Sequence, residues 1–257
     1  MSLPTSLPVV LLTDIHGCYH SMVRLLNAIP KPFQLVLLGD LIDRGPSSRK
    51  VVEFAMENAI PTVVGNHEDL CLAFYNSKAH CSSMYDKGVW LDNGGDKAVR
   101  DWKTIDKRGL EPWQVNQAER IGGRIPDTVL SWMEGLPPHL YPTEEPDANG
   151  LRLLASHTGY GLEADDGDWF TALWGRRPLG DPDFPVDGNY RIFGHTQQKE
   201  PLLTDAWACI DTGAAYGKQG YGVLSAMVWP TKQLYSQVYN EQPINPAFTV
   251  ELGGILT

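Results

Sequence analysis

An α/β fold is predicted by three observations. Short apolar runs stop abruptly at polar clusters: Val9 to Thr13 before Asp14, Leu35 to Leu38 before Gly39 and Asp40, and Ile60 to Val64 before Gly65 and Asn66. Apolar residues at helical spacing separate these runs. The middle run, Leu35-Val36-Leu37-Leu38, is unbroken rather than alternating, which marks a parallel strand buried on both faces.

Taken in order, Val9 to Thr13 is the first strand, and Met22, Leu25, Leu26 and Ile29 outline a helix that stops before Pro30. Phe33 to Gly39 is the second strand. After Pro46, with Ser47 as a possible cap, Val51, Phe54, Ala55 and Asn58 mark one side of the next helix. Ile60 to Val64 reads as a third strand, and Leu70, Ala73 and Phe74 open another helix. Val9 to Phe74 is thus predicted as consecutive βαβ units, whose ligands gather outside the carboxyl ends of the strands.

From Asn76 to about Tyr141 the pattern turns Trp-rich and Gly-punctuated, with helices expected around Asp96 to Ile105 and Asp127 to Glu134. The reading is one domain over 1–257 carrying a helical insertion at about 76–141. Asn93-Gly94-Gly95 is a turn signal. Tyr141 to Gly150 and Asp165 to Asp187 read as loops. The strand-then-histidine device recurs at Leu151 to Ala155 before Ser156-His157, and at Tyr190 to Phe193 before Gly194-His195. Ala206 to Ile210, Tyr221 to Val228, Leu234 to Tyr239 and Phe248 to Leu252 are the remaining expected strands.

Composition narrows the functions. The formal net charge of −10 argues against nucleic-acid or anionic-membrane binding, because phosphate backbones are held by Lys and Arg. It leaves room for a phosphorylated substrate, which needs only local positive charge. No apolar run reaches transmembrane length, and MSLPTSLPVVLL lacks a basic leader region. Cys18, Cys71, Cys81 and Cys209 form no CxxC pair, so reduced thiols and a cytoplasmic location are expected. Nothing in the sequence sets the oligomeric state.

Five strand ends together supply carboxylates (Asp14, Asp40), imidazoles (His16, His157, His195) and an amide oxygen (Asn66). This mixed N/O set suits borderline divalent ions, with manganese the first expectation and iron or zinc also compatible. Six ligands exceed what one catalytic ion with open positions uses, so two ions are implied, roughly 3.5–4 Å apart as in other two-metal sites. Asp40, ending the middle strand, is the natural bridge. Asp14 and His16 would complete one shell; Asn66, His157 and His195 would complete the other. Arg44 and either Arg176 or Arg177 offer planar forks for phosphate oxygens. His67 can protonate a leaving alkoxide, with Asp43 fixing its tautomer and raising its basicity. His20, His80 and His139 lack such context and read as solvated or capping residues. Asp211-Thr212-Gly213 could line the site or simply form a β-turn.

The ordered motifs DIHG (Asp14 to Gly17), GDLIDRG (Gly39 to Gly45), GNHE (Gly65 to Glu68), SHTG (Ser156 to Gly159) and GHT (Gly194 to Thr196) resemble those of the calcineurin-like metallophosphoesterases. The arginine after Asp43 is similar to the phosphoprotein phosphatase branch, in particular to bacteriophage and bacterial serine/threonine phosphatases and symmetrical dinucleoside tetraphosphatases. The resemblance implies a sandwich of two mixed β-sheets flanked by helices, and carries the ligand and phosphate-holding roles onto the same residues. Thr13 and Thr158 depart from the family pattern, which has Gly before the first Asp and Gly or Ala after the fourth-motif histidine.

The expected activity is metal-dependent hydrolysis of phosphate monoesters, as a serine/threonine-type protein phosphatase, by in-line attack of a hydroxide bridging the ions. The alternative is a symmetrical dinucleoside tetraphosphate (Ap4A) hydrolase. That reading needs an aromatic cleft, which Trp90, Trp102, Trp132, Trp169 and Trp174 could build. An alternative of another class is a phosphate-binding scaffold without chemistry.

Overall fold

The computed structural model describes residues 7–81, 85–86, 88–103, 108–160, 168–176 and 187–244. Among them, β1 (Val9–Leu12), α1 (Tyr19–Ala28) and β2 (Gln34–Leu37) form the first unit, followed by α2 (Ser48–Glu57) and α3 (Asn66–Phe74). A π-helical turn (Leu91–Gly95) leads into α4 (Asp96–Trp102), and then come α5 (Pro112–Ile121), α6 (Asp127–Glu134), β3 (His139–Leu140) and β4 (Arg152–Ser156). The chain continues through α7 (Trp169–Trp174), β5 (Asn189–Phe193), β6 (Leu202–Leu203), β7 (Trp207–Cys209), β8 (Val223–Trp229) and β9 (Gln233–Val238).

Two mixed sheets result. One has the order β2-β1-β8-β9, with β1 and β2 parallel and the other pairs antiparallel. The other has the order β3-β4-β5-β7-β6, parallel at its centre and antiparallel at both edges.

The unbroken apolar runs follow from where the first sheet lies. Val10, Leu12, Leu35 and Leu37 face the core shared with α1, α2 and α3. Their alternate neighbours Val9, Leu11, Val36 and Leu38 pack between the sheets against Leu153, Ala155, Tyr190, Ile192 and Ala208. A strand covered on both faces has no polar side to alternate with.

Three expectations need correction. Ile60 to Val64 is not a full strand; it touches β2 through one bridge, Leu37 to Thr62. Pro61 lacks an N–H for the ladder, and the Val64 N–H turns away to Pro137. The predicted loop after Asp165 contains α7, begun by Asp168, whose carboxylate accepts from the Thr171 N–H at 3.0 Å. Ser47 precedes α2, but its side chain makes no capping bond. The expected strand Phe248 to Leu252 lies outside the described residues. All four cysteines are free and buried, and no described helix is long and apolar enough to cross a membrane.

Candidate active site

The loops after β1, β2, β4 and β5 and the first turn of α3 deliver their side chains to one buried place where the sheets meet. Asp14, His16, Asp40, Asn66, His67, His157 and His195 are each at most 3 % exposed. Two overlapping groups form there, His16–Asp40–His67 and Asp40–His157–His195, with possible ligand atoms within 4.8 Å of one another in each. Asp40 belongs to both. Its Oδ2 lies 3.5 Å from His16 Nε2, and its Oδ1 lies 3.5 Å from His157 Nε2.

The tautomers are set from behind. His16 Nδ1 meets the Ile42 carbonyl at 2.7 Å and His157 Nδ1 meets the Leu38 carbonyl at 2.9 Å. Each therefore carries its proton on Nδ1 and turns an Nε2 lone pair to the centre, as metal-ligating histidines do. Asn66 Oδ1 sits 3.0 Å from His157 Nε2 and 2.9 Å from His195 Nδ1. Asp14 Oδ2 accepts from the His195 N–H at 2.9 Å, while its Oδ1 is buried without a hydrogen-bond partner, as is His195 Nε2.

Backbone conformation is unusual at the same residues. Asp14, His16, Asp40, Asp43, Arg44 and His195 all have positive φ, between 46° and 75°. Side chains other than Gly, Asn and Asp rarely adopt this region. Gly39 also has positive φ, and a Cβ there would lie 2.6 Å from the Gly65 nitrogen, so only glycine lets the second and third motifs approach.

His67 Nδ1 lies 2.5 Å from Asp43 Oδ2, and Trp90 Nε1 donates to the same carboxylate at 2.9 and 3.1 Å. Burial, then the neighbouring His16 and Arg44, hold the His67 imidazole well below its ordinary pKa. Asp43 thus orients His67, but the expected rise in its basicity is outweighed. Burial, reinforced by Glu68, pushes Asp43 well above the carboxylate range. His16 is pushed down to about 3 by burial and by Arg44, whose Nη1 rests against its Nε2.

Arg44 is half-buried and joins the cluster directly. Arg176 is exposed just beyond α7, near enough for its charge to act on His195 and Asp211; Arg177 lies outside the described residues. His20, His80 and His139 join neither group. His80 instead stacks on Trp169, with centroids 3.3 Å apart. The tryptophan cleft is not built as expected. Trp90 and Trp102 are core residues, Trp90 meeting the site through its N–H to Asp43, and Trp174 lies at the cluster's edge with its ring 6.1 Å from that of His195.

Several contributors escaped the sequence reading. Glu68 accepts from the backbone N–H groups of Asp40, Leu41 and Gly65 at 2.8 to 3.0 Å, locking two motifs together. Its place three residues after Gly65, as in a capping box, was the available signal. Gly94 O accepts from the Arg44 N–H at 3.4 Å, and Lys97 Nζ donates to the Arg44 carbonyl at 2.8 Å. Asp211 makes the expected turn bond to the Gly213 N–H, but its Oδ2 is buried without a hydrogen-bond partner. The two threonine departures find uses. Thr13 donates to Asp14 at 2.6 Å, and Thr158 ties its motif to the Ala172 carbonyl of α7 at 2.8 Å.

The donor set fits divalent metal. Carboxylates and Nε2 lone pairs converge, and the orphaned Asp14 Oδ1 and His195 Nε2 are groups whose burial is costly unless a cation or donor meets them. Two mixed sheets with such a centre at their junction have the make-up of a metal-dependent hydrolase. The calcineurin-like phosphoesterase model matches residues 7–199, and the chain belongs to that family.

The serine/threonine-protein phosphatase 1 of Salmonella typhimurium is 37 % identical over 214 residues, covering 80 % of this chain and 86 % of that protein. A symmetrical bis(5'-nucleosyl)-tetraphosphatase of Erwinia tasmaniensis is 28 % identical over 266 residues, covering 88 % and 96 %. Among solved structures, a cold-active protein tyrosine phosphatase shares the fold with TM-score 0.53 and 16 % identity, over 94 % of this chain and 80 % of that one.

Proposed function

We propose that the chain is a phosphomonoesterase of the serine/threonine phosphatase type, in which Asp14, His16, Asp40, Asn66, His157 and His195 hold two divalent ions, manganese first. The observation that carries this reading is Asp40, one carboxylate shared by two groups of buried ligands. When bound, the ions supply Lewis acidity toward the phosphoryl oxygens and toward the attacking water.

The remaining roles fall to the chain's own groups. Arg44 binds phosphate oxygens from beside His16, and Arg176, just beyond α7, supplies a second guanidinium for them. His67 delivers a proton from Nε2 to the leaving oxygen. Burial keeps this imidazole neutral at rest, so the proton it gives the leaving oxygen is matched by the one the attacking water releases, and Asp43 at Nδ1 holds the ring in place through the exchange. Trp90 holds that carboxylate in place.

The substrate assignment to phosphoserine and phosphothreonine is supported by the Salmonella relative's name. A second reading, a dinucleoside tetraphosphate, is supported by the Erwinia relative and by a recess of tyrosines and lysines beside Arg44. A cytoplasmic location agrees with four free cysteines.

The test is hydrolysis of p-nitrophenyl phosphate and a phosphothreonine peptide with and without Mn²⁺. Metal-stimulated release of phosphate, abolished by a chelator, is expected. Phosphate binding without turnover in any metal would instead identify a scaffold.

A further inference from the structure

The helix that ends beside Arg176 is held from two sides. Thr158, next to His157, donates to the Ala172 carbonyl of α7 at 2.8 Å. On the other side the Trp174 indole N–H donates to the Tyr85 hydroxyl at 2.7 Å, and that hydroxyl donates to Asp69 Oδ2 at 3.0 Å. Asp69 is buried on α3, the helix whose first residues are Asn66 and His67. Its carboxylate also accepts from the backbone N–H groups of His80 and Cys81, at 2.6 and 3.0 Å. One acid thus binds residues 80, 81 and 85 at once, yet it belongs to neither group of candidate ligands, and the proposed chemistry gives it no task.

Tyr85 can link the two elements only while it keeps its proton. Burial, then the Asp69 carboxylate, push its pKa up, so it stays a neutral hydroxyl that donates to the acid and accepts from the indole. The stack of His80 on Trp169 and the apolar cluster shared by Cys81 and Leu173 join α7 to the same residues. A helix of six residues is not stable alone, so these contacts set its place. Beyond Trp174 the chain is tightly packed: a Cβ on Gly175 would lie 2.5 Å from the Thr171 carbonyl oxygen and 2.8 Å from the Tyr160 ring. Arg176 follows directly.

We propose that Tyr85 is a positioning residue for phosphate binding: the chain Asp69–Tyr85–Trp174 fixes the end of α7 against α3, and so sets where the Arg176 guanidinium stands relative to the bound phosphate. An exposed arginine loses freedom when it binds, and a backbone fixed beforehand removes part of that cost. This rests on the hydrolase reading above, with Arg176 as a phosphate-holding group.

The test measures inorganic phosphate binding by titration calorimetry in the full chain with Mn²⁺, and kcat/KM for p-nitrophenyl phosphate, whose leaving group needs little help from His67. Tyr85→Phe keeps the ring and removes the hydroxyl. Phosphate should then bind about 5- to 10-fold more weakly, and kcat/KM should fall by a similar factor, the worth of one hydrogen bond. Trp174→Phe, which removes the other half of that bond, should weaken phosphate in the same way. In a chain already carrying Arg176→Ala, adding Tyr85→Phe should change either quantity less than about 2-fold, whereas in Arg44→Ala its full effect should persist. Metal content and far-ultraviolet circular dichroism should match the parent's.

Equal losses from Tyr85→Phe with and without Arg176 overturn the proposal, as does a phosphate affinity that Tyr85→Phe leaves unchanged. Lowered metal content overturns it too, since the effect would then fall on His195, whose ring lies 6.1 Å from that of Trp174. A parent that hydrolyses no phosphoester removes the hydrolase reading instead, and the phosphate titrations then decide the role of Tyr85 by themselves.

Discussion

The rest of the strand-end platform and the Trp90–Lys97 segment both hold the short stretch Asp40 to Arg44, by different means. The platform is made of loops at the ends of buried strands, held by backbone contacts and by Glu68. The segment belongs to the helical region and reaches in with one indole, one glycine and one lysine: Trp90 on Asp43, Gly94 and Lys97 on the Arg44 backbone. In the function proposed above, the platform would assemble the atoms that react with phosphate, whereas the segment fixes the angles of two side chains. Damage to the platform should therefore abolish function, and damage to the segment should reduce it.

The largest expected effect is on the platform. Asp40→Asn should leave no turnover above background, with metal content lowered in elemental analysis and the far-ultraviolet circular dichroism retained. Full activity with one metal per chain would show that Asp40 is not shared. Next, His67→Asn should slow hydrolysis of alkyl phosphates by roughly 10²–10⁴-fold, and of p-nitrophenyl phosphate much less. Equal losses for both leaving groups would remove His67 from proton delivery.

Glu68→Ala strands three buried N–H donors, so unfolding in urea should show a loss of about 3 kcal/mol or more. A loss below about 1 kcal/mol would mean water replaces the carboxylate there.

Trp90→Phe tests the segment alone. It keeps an aromatic ring but removes the indole N–H that donates to Asp43, and should slow alkyl phosphate hydrolysis by roughly 10–100-fold, the worth of one hydrogen bond to a charged group. Its leaving-group dependence should resemble that of His67→Asn, more weakly; a uniform fall would point to general loosening instead. The smallest effect is expected outside both regions. Arg49→Ala breaks an exposed i,i+4 pair with Glu53 at 2.7 Å and should change stability by no more than about 0.5 kcal/mol.

The two regions also differed in how far the sequence disclosed them. Leu35 to Leu38 announces a doubly covered strand because burial on both faces removes every polar residue, and Asp40 stands out at its end. Trp90 carries no such mark, since a buried indole in a core and one aimed at a carboxylate look alike in a string of letters. Helix α5 hid for a related reason. Pro112 at its start and Gly122 at its end were the right punctuation, but PWQVNQAERI has too few apolar residues to show a face. The recess beside Arg44 was invisible because only the fold brings Arg44, Lys97 and Tyr239 beside the loop between Gly213 and β8.

The six side chains held at positive φ have a consequence for selection and engineering. Each costs up to about 1–2 kcal/mol relative to a relaxed backbone, least at Asp14, Asp40 and Asp43, and glycine would relieve that cost. Asp14→Gly or His195→Gly would thus remove conformational strain and buried polarity together, while removing a proposed ligand. A search for heat-resistant variants of this chain, conducted without an activity filter, would drift toward proteins that keep both sheets and have erased the reason for them.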